Sequence, residues 1–215
     1  MAAAGFAAER RVISRTMLGR NADAVLAPPG RQAGLADAGG SIPVDGLVEF
    51  AQRVARGSTA ERVAFHAGYR SVAVDPGIDR VEVVTELRRL VLLAETHSSA
   101  GGWRDARDAA DALEPYRGRL TVEARVRFHP QNGYLSVPRL DVNLASASTM
   151  QPALDIFVEP IHGPGASAPD GRPAIVGAVV ETTFAAPVSR GVHTLVIHVD
   201  NVYLLLATID LTRMP

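Results

Sequence analysis

The spacing of apolar residues along the chain changes from a period near four to a period of two at Arg119. From Leu120 to Phe128 apolar and polar residues alternate strictly, which is the pattern of a half-buried strand. Strands at regular spacing without intervening helices are typical of an antiparallel sandwich. We therefore predict, for residues 119–215, a β-sandwich of six to seven strands that is immunoglobulin-like in general architecture. Further strand patterns lie at 134–143, 153–158, 174–184, 193–199 and 202–211.

The last two of these segments predict a hairpin. The strands 193–199 and 202–211 are joined by Asp200-Asn201, and both residue types tolerate the positive φ angles of tight hairpin turns. Three consecutive leucines, from Leu204 to Leu206, predict that the second strand is buried on both faces. We expect Leu204 and Leu206 to contact either a helical layer or another subunit.

Residues 44–118 carry the signals of three to four helices, so the predicted fold class is α+β, with this helical segment packed on the sandwich. Ser58 and Glu61 form a capping box, in which each side chain satisfies a free amide of the first helical turn. Asp79 with Glu82 is interpreted as the start of the longest helix, because apolar residues recur at helical spacing downstream. The expected helices begin at Asp45, Ser58, Asp79 and Trp103 and end near Gly57, Gly68, Gly101 and Glu114.

Residues 1–43 are predicted to be an N-terminal arm and a linker. The first part is rich in alanine and arginine, and Phe6, Ile13 and Met17 would share one stripe of a helix. The second part is rich in proline and glycine, which favours a flexible connection. We expect the arm to bind a partner through this apolar stripe.

The composition excludes several classes of function. The chain has no cysteine, which removes disulfides, thiolate nucleophiles and cysteine-ligated metals and is consistent with a reducing, cytoplasmic location. Its 22 basic residues are all arginine and are balanced by 23 acidic ones, so a nucleic-acid partner is not expected. An apolar run long enough for a transmembrane helix is missing from the sequence.

Catalytic motifs are also missing, and no cofactor or metal is predicted. The chain lacks a nucleophile elbow and a phosphate-binding Walker loop. His193 and His198 are five residues apart, so they point to opposite faces of one strand and cannot share a metal. One alternative remains open, a metal- or histidine-dependent hydrolase built from His129, Asp141 and His162 at the junction of helices and sandwich.

The leading hypothesis is a non-catalytic structural or interaction subunit of a larger assembly. It would bind other protein subunits, or a second copy of itself, through the N-terminal arm and through the sheet face that carries Leu204 and Leu206. A weaker hypothesis is a sugar- or peptide-binding module that uses the loop predicted for residues 162–173, but aromatic residues make up only 5% of the chain.

Overall fold

A computed structural model describes residues 44–71, 75–98, 103, 105–129, 136–167, 173–185, 188, 190–200 and 203–214. These residues fall in one compact unit with four α-helices and nine strands, which confirms the predicted α+β class. The helices are α1 (Val44–Arg56), α2 (Thr59–Ala67), α3 (Glu86–Ser98) and α4 (Ala106–Leu113), and a short 3-10 turn spans Glu114–Tyr116.

The strands form two antiparallel sheets. The larger sheet has the order β1-β2-β3-β7-β6, and the smaller has the order β5-β4-β8-β9. Two strands of the larger sheet come from the segment predicted to be helical. The strands are β1 (Arg70–Ser71), β2 (Ile78–Val84), β3 (Arg119–Arg127), β4 (Leu140–Ala145), β5 (Met150–Pro152), β6 (Asp155–Ser167), β7 (Pro173–Ala185), β8 (Val192–Val199) and β9 (Tyr203–Asp210).

Side chains from both sheets build one hydrophobic core. Alternate residues of β3 point into it, as their sequence pattern predicts. They meet inward-facing side chains of the smaller sheet such as Leu195, Ile197 and Ile209, which are all fully buried. A second apolar cluster lies among the helices, where Trp103 is buried beside Val91. Trp103 therefore anchors the helical layer.

The chain passes from one sheet to the other within a single peptide unit. The N–H of Ala153 donates to the carbonyl of Val142 in the smaller sheet, at 3.1 Å. The N–H of the next residue, Leu154, donates to the carbonyl of Thr183 in the larger sheet, at 2.7 Å. These two hydrogen bonds tie the sheets together at one corner.

The predicted C-terminal hairpin is confirmed. Strands β8 and β9 pair over eight residues without a register shift, from Val192–Asp210 to Val199–Tyr203. The last pair joins Val199 to Tyr203, and residues 201–202 of the predicted connection lie outside the described residues. Asp200, directly after β8, adopts a φ of 50°, in the left-handed region that aspartate tolerates.

The predicted start of the longest helix is wrong. Residues 78–84 form strand β2, and helix α3 begins only at Glu86. Val81 and Val83 are fully buried in the core of the sheets. The helical spacing from Val81 onward is coincidental, and pairing with β3 outweighs it, since β-branched residues fit a buried strand well.

Other predicted boundaries differ less. The capping box of Ser58 and Glu61 is present, with both reciprocal hydrogen bonds. Helix α4 begins at Ala106 instead of Trp103, because Asp105 accepts hydrogen bonds from the first free amides. The prediction of a long loop over residues 162–173 is wrong at both of its ends, since β6 continues to Ser167 and β7 begins at Pro173.

Candidate interaction surface

An apolar row crosses β8 and β9 on the side of the smaller sheet that faces away from the core, here called the outer face. Val196 on β8 is paired with Leu206 on β9, and His198 is paired with Leu204. The side chains of Leu204 and Leu206 are 44% and 38% exposed. Two large aliphatic side chains thus lie next to each other in contact with solvent.

The helices do not cover this row, because they pack on the larger sheet. Arg88 of α3 donates to the carbonyl of Val83 on β2, at 2.8 Å. Arg89 of α3 reaches the hydroxyl of Thr121 on β3, at 3.4 Å. The prediction that the leucine run is buried on both faces is therefore wrong for a single chain. Its inner member is buried, and the two outer members are exposed.

Strand β9 is also an edge strand. It pairs with β8 on one side, and no strand in the described ranges pairs with its other side. The N–H of Leu211 donates to the carbonyl of Gly191, so odd-numbered residues of β9 direct their main-chain groups toward β8. The main-chain groups of Leu204, Leu206 and Thr208 therefore point away from β8.

A cleft of about 420 Å³ opens beside this face, where β4 meets β5 and β6. Asp141 and His198 are paired across β4 and β8, and Asn143 lies on the same side of β4. Asp141 and Asn143 therefore share one face of β4. An apolar wall of Pro152 and Ile156 completes the cleft, which could hydrogen-bond a small polar ligand.

The three residues of the hydrolase hypothesis lie on different elements. His129 is exposed just beyond β3, His162 is exposed on β6, and Asp141 lies on β4 of the other sheet. In the part of the chain that the structure describes, no three histidine, aspartate or glutamate side chains are grouped to hold a metal ion. His193 is buried and His198 lines the cleft, which confirms that they point to opposite faces.

Sequence reasoning missed a charged cluster on the larger sheet. Glu82, Glu123 and Glu181 lie directly opposite one another on three neighbouring strands. Arg88, which is only 4% exposed, forms an ion pair with Glu82, and Arg80 pairs with both Glu82 and Glu123. The signal was present as alternating charges on β3, but the register between strands cannot be read from the sequence.

The pKa values of Glu82 and Glu123 are shifted in opposite directions. Burial would raise the pKa of Glu82, but the hydrogen bond and charge of Arg88, aided by Arg80 and Arg70, hold that pKa below its ordinary value. Burial, followed by repulsion from Glu82, raises the pKa of Glu123. A negative charge on Glu123, on the middle strand β3, is therefore disfavoured.

A histidine continues the cluster into the helical layer. The Nε of Arg88 lies 3.4 Å from Nδ1 of His66, and Nε2 of His66 lies 3.1 Å from a carboxylate oxygen of Glu95. Because Arg Nε can only donate, Nδ1 of His66 accepts, and its proton lies on Nε2. Arg88 also stacks over the ring of Tyr69 at 5.4 Å, and burial raises the pKa of Tyr69 to about 12. These contacts join helices to sheet.

Of the residues predicted to bind partners, Phe6, Ile13 and Met17 lie outside the described residues, whereas Leu204 and Leu206 form the exposed row on β9. Comparisons with protein-family models, with curated proteins and with solved structures find no match. Among the described residues, no helix has both the length and the apolar character needed to span a membrane.

Proposed function

We propose that the protein is a non-catalytic structural or interaction subunit of a larger assembly. The observation that carries this proposal is the exposed row of Leu204 and Leu206 on an edge strand that the helices leave uncovered. Adjacent exposed aliphatic side chains on an edge strand are features of protein-binding surfaces. The immunoglobulin-like architecture and a cytoplasmic location belong to the same proposal.

The N-terminal arm is the second binding element of this proposal. Its apolar stripe of Phe6, Ile13 and Met17 would contact a partner subunit, while β9 supplies a separate contact. Deleting residues 1–40 tests the arm. We expect the deletion to lower the mass of the native complex measured by light scattering, and an unchanged mass would remove the arm from the proposal.

Charge substitution tests the contribution of β9. Leu206→Arg places a cation in the exposed row. Val63→Arg is a matched control, because Val63 is an exposed aliphatic residue (50% exposed) that lies on α2 and not on the smaller sheet. The tagged full chain is purified from its source cells, and the mass of the complex is measured. Loss of the complex with Leu206→Arg alone is expected, and equal retention by both variants would refute the proposal.

A further inference from the structure

The cleft at the corner of the two sheets brings together three polar side chains. Asp141 and Asn143 of β4 and His198 of β8 line it, together with Pro152 and Ile156. Among the described residues, none of the three polar side chains makes a hydrogen bond to another part of the chain. A few polar groups that converge on a cleft with an apolar wall are the usual means by which a protein orients a small ligand.

Asp141 and His198 face each other across β4 and β8. Directly opposed residues of an antiparallel pair have Cβ atoms about 5 Å apart. In the described part of the chain, however, the two side chains form no ion pair with each other, and the carboxylate of Asp141 instead has Nε of Arg139 at 3.7 Å. That distance is too long for a hydrogen bond, and the side chain of Arg139 is 75% exposed, so the ion pair is weak. The carboxylate therefore keeps acceptor positions for a ligand.

The charge of the cleft favours a cationic ligand. Among the described residues that line it, Asp141 is the only acidic one, and none is an arginine. A carboxylate only accepts hydrogen bonds, and the side-chain oxygen of Asn143 is a further acceptor. A hydrogen bond between an ammonium group and a carboxylate is about twice as strong as one between neutral groups. An anion in the same place would be repelled by Asp141.

The opposite wall of the cleft is apolar and is held by both sheets. It consists of Pro152, Ala153 and Ile156, and the last two pack against the core. The N–H of Ala153 is bonded to Val142 of the smaller sheet, and the N–H of the next residue is bonded to the larger sheet. Because the wall is already fixed, binding costs little ordering of the protein. The volume of about 420 Å³ lies within the range of small-molecule sites.

We propose that this cleft binds a small organic cation that carries an apolar group, such as an alkyl or arylalkyl amine. Its ammonium group lies between Asp141 and His198 and donates hydrogen bonds to the carboxylate. Its apolar group lies against Pro152 and Ile156. The inference goes beyond the proposed function and does not depend on it, because the exposed row of Leu204 and Leu206 takes no part in the site.

Three compounds of one shape test the class of ligand. Benzylammonium, benzyl alcohol and benzoate share an aromatic ring and differ in charge, and each is titrated at pH 7 into the isotope-labelled full chain and followed by amide chemical shifts. We expect benzylammonium to give saturable shifts at Asp141, Asn143 and His198, with a dissociation constant of roughly 1 mM for a compound of this size. Benzyl alcohol should bind several-fold more weakly, and benzoate should not bind. Saturable shifts that are missing from the cleft, or equal affinity for all three compounds, would overturn the proposal.

Substitutions locate the site. Asp141→Asn removes the charge and keeps the shape, and we expect the affinity for benzylammonium to fall roughly tenfold. Glu159→Gln is the matched control, because Glu159 is an exposed carboxylate of β6 that does not line the cleft, and it should leave the affinity unchanged. Equal affinities in these two variants would show that the cleft is not the site.

Asn143→Asp provides a test that misfolding cannot imitate. The variant places a second carboxylate in the cleft, so the affinity for benzylammonium should rise several-fold. An unchanged or lower affinity would contradict the assignment of this cleft to a cation. The amide shifts of the core strands, recorded in the same spectra, report whether each variant keeps its fold.

Discussion

Arg139 and Asp200 exchange two hydrogen bonds that join the start of β4 to the turn of the C-terminal hairpin. The N–H of Arg139 donates to Oδ1 of Asp200 at 2.6 Å, and the N–H of Asp200 donates to the carbonyl of Arg139 at 2.8 Å. Asp200 makes these contacts with a φ of 50°. One residue thus supplies both a left-handed turn conformation and an anchor for the neighbouring strand.

Replacing Asp200 should therefore destabilise the hairpin that carries the exposed row. Asp200→Ala removes the side-chain acceptor and places a residue that disfavours positive φ in the turn, and we expect a loss of about 2 kcal/mol in the free energy of unfolding. Asp200→Asn keeps an acceptor and tolerates the same φ, so it should remain close to the natural protein. Urea denaturation measures both, and equal losses would contradict this account.

The buried ion pair between Arg88 and Glu82 gives a second prediction. Arg88→Met leaves the carboxylate of Glu82 without its closest partner, and the side chain of Glu82 is 13% exposed. We expect a loss of about 3 kcal/mol in the free energy of unfolding. Adding Glu82→Gln to this variant should restore part of the loss, because the unpaired carboxylate at position 82 is then removed. A double-mutant cycle measures the coupling, and strictly additive effects would disprove it.

Glu123 gives a prediction about pH. Its pKa in the folded state lies above the ordinary value, so its contribution favours folding when it is protonated and is lost as pH rises through the folded pKa. We expect Glu123→Gln to be more stable than the natural protein at pH 7. The difference should shrink as pH falls below the ordinary glutamate pKa of 4.5. Thermal denaturation across this range tests it, and a difference that is independent of pH would count against it.

Gly177 is required by close packing between β7 and β3. A Cβ atom at this position would lie 2.3 Å from the carbonyl oxygen of Val126, which is part of the main chain and cannot easily move. We expect Gly177→Ala to cost about 3 kcal/mol of stability. Gly191→Ala is the control, since its nearest neighbour would be His193 at 4.0 Å. Chemical denaturation should show a large shift for the first variant only.

Local signals in the sequence predicted much of the fold. The alternation on β3, the capping box of Ser58 and the hairpin around Asp200 are each determined by neighbouring residues, and all three are present in the structure. Strand β2 was missed because its residues Val81 and Val83 are held by pairing with β3, about 40 positions away. Pairing between strands so far apart in the chain cannot be recognised from the residues that neighbour β2.

The candidate surface was predicted only in part. The run from Leu204 to Leu206 showed that one side of β9 is more apolar than a solvent-exposed strand needs. Whether the helices or solvent lie on that side depends on the sheet to which the helices attach. That attachment is made by Arg88, which reads as an ordinary surface residue in the sequence but is nearly fully buried.

The corner at Ala153 and Leu154 has a mechanical consequence. Because two successive amides are held by different sheets, the sheets cannot slide past each other without breaking the bond to Val142 or the bond to Thr183. The corner therefore resists shear between the two sheets. A force applied to β9 by a bound partner would pass across the smaller sheet to these two hydrogen bonds and from there into the larger sheet.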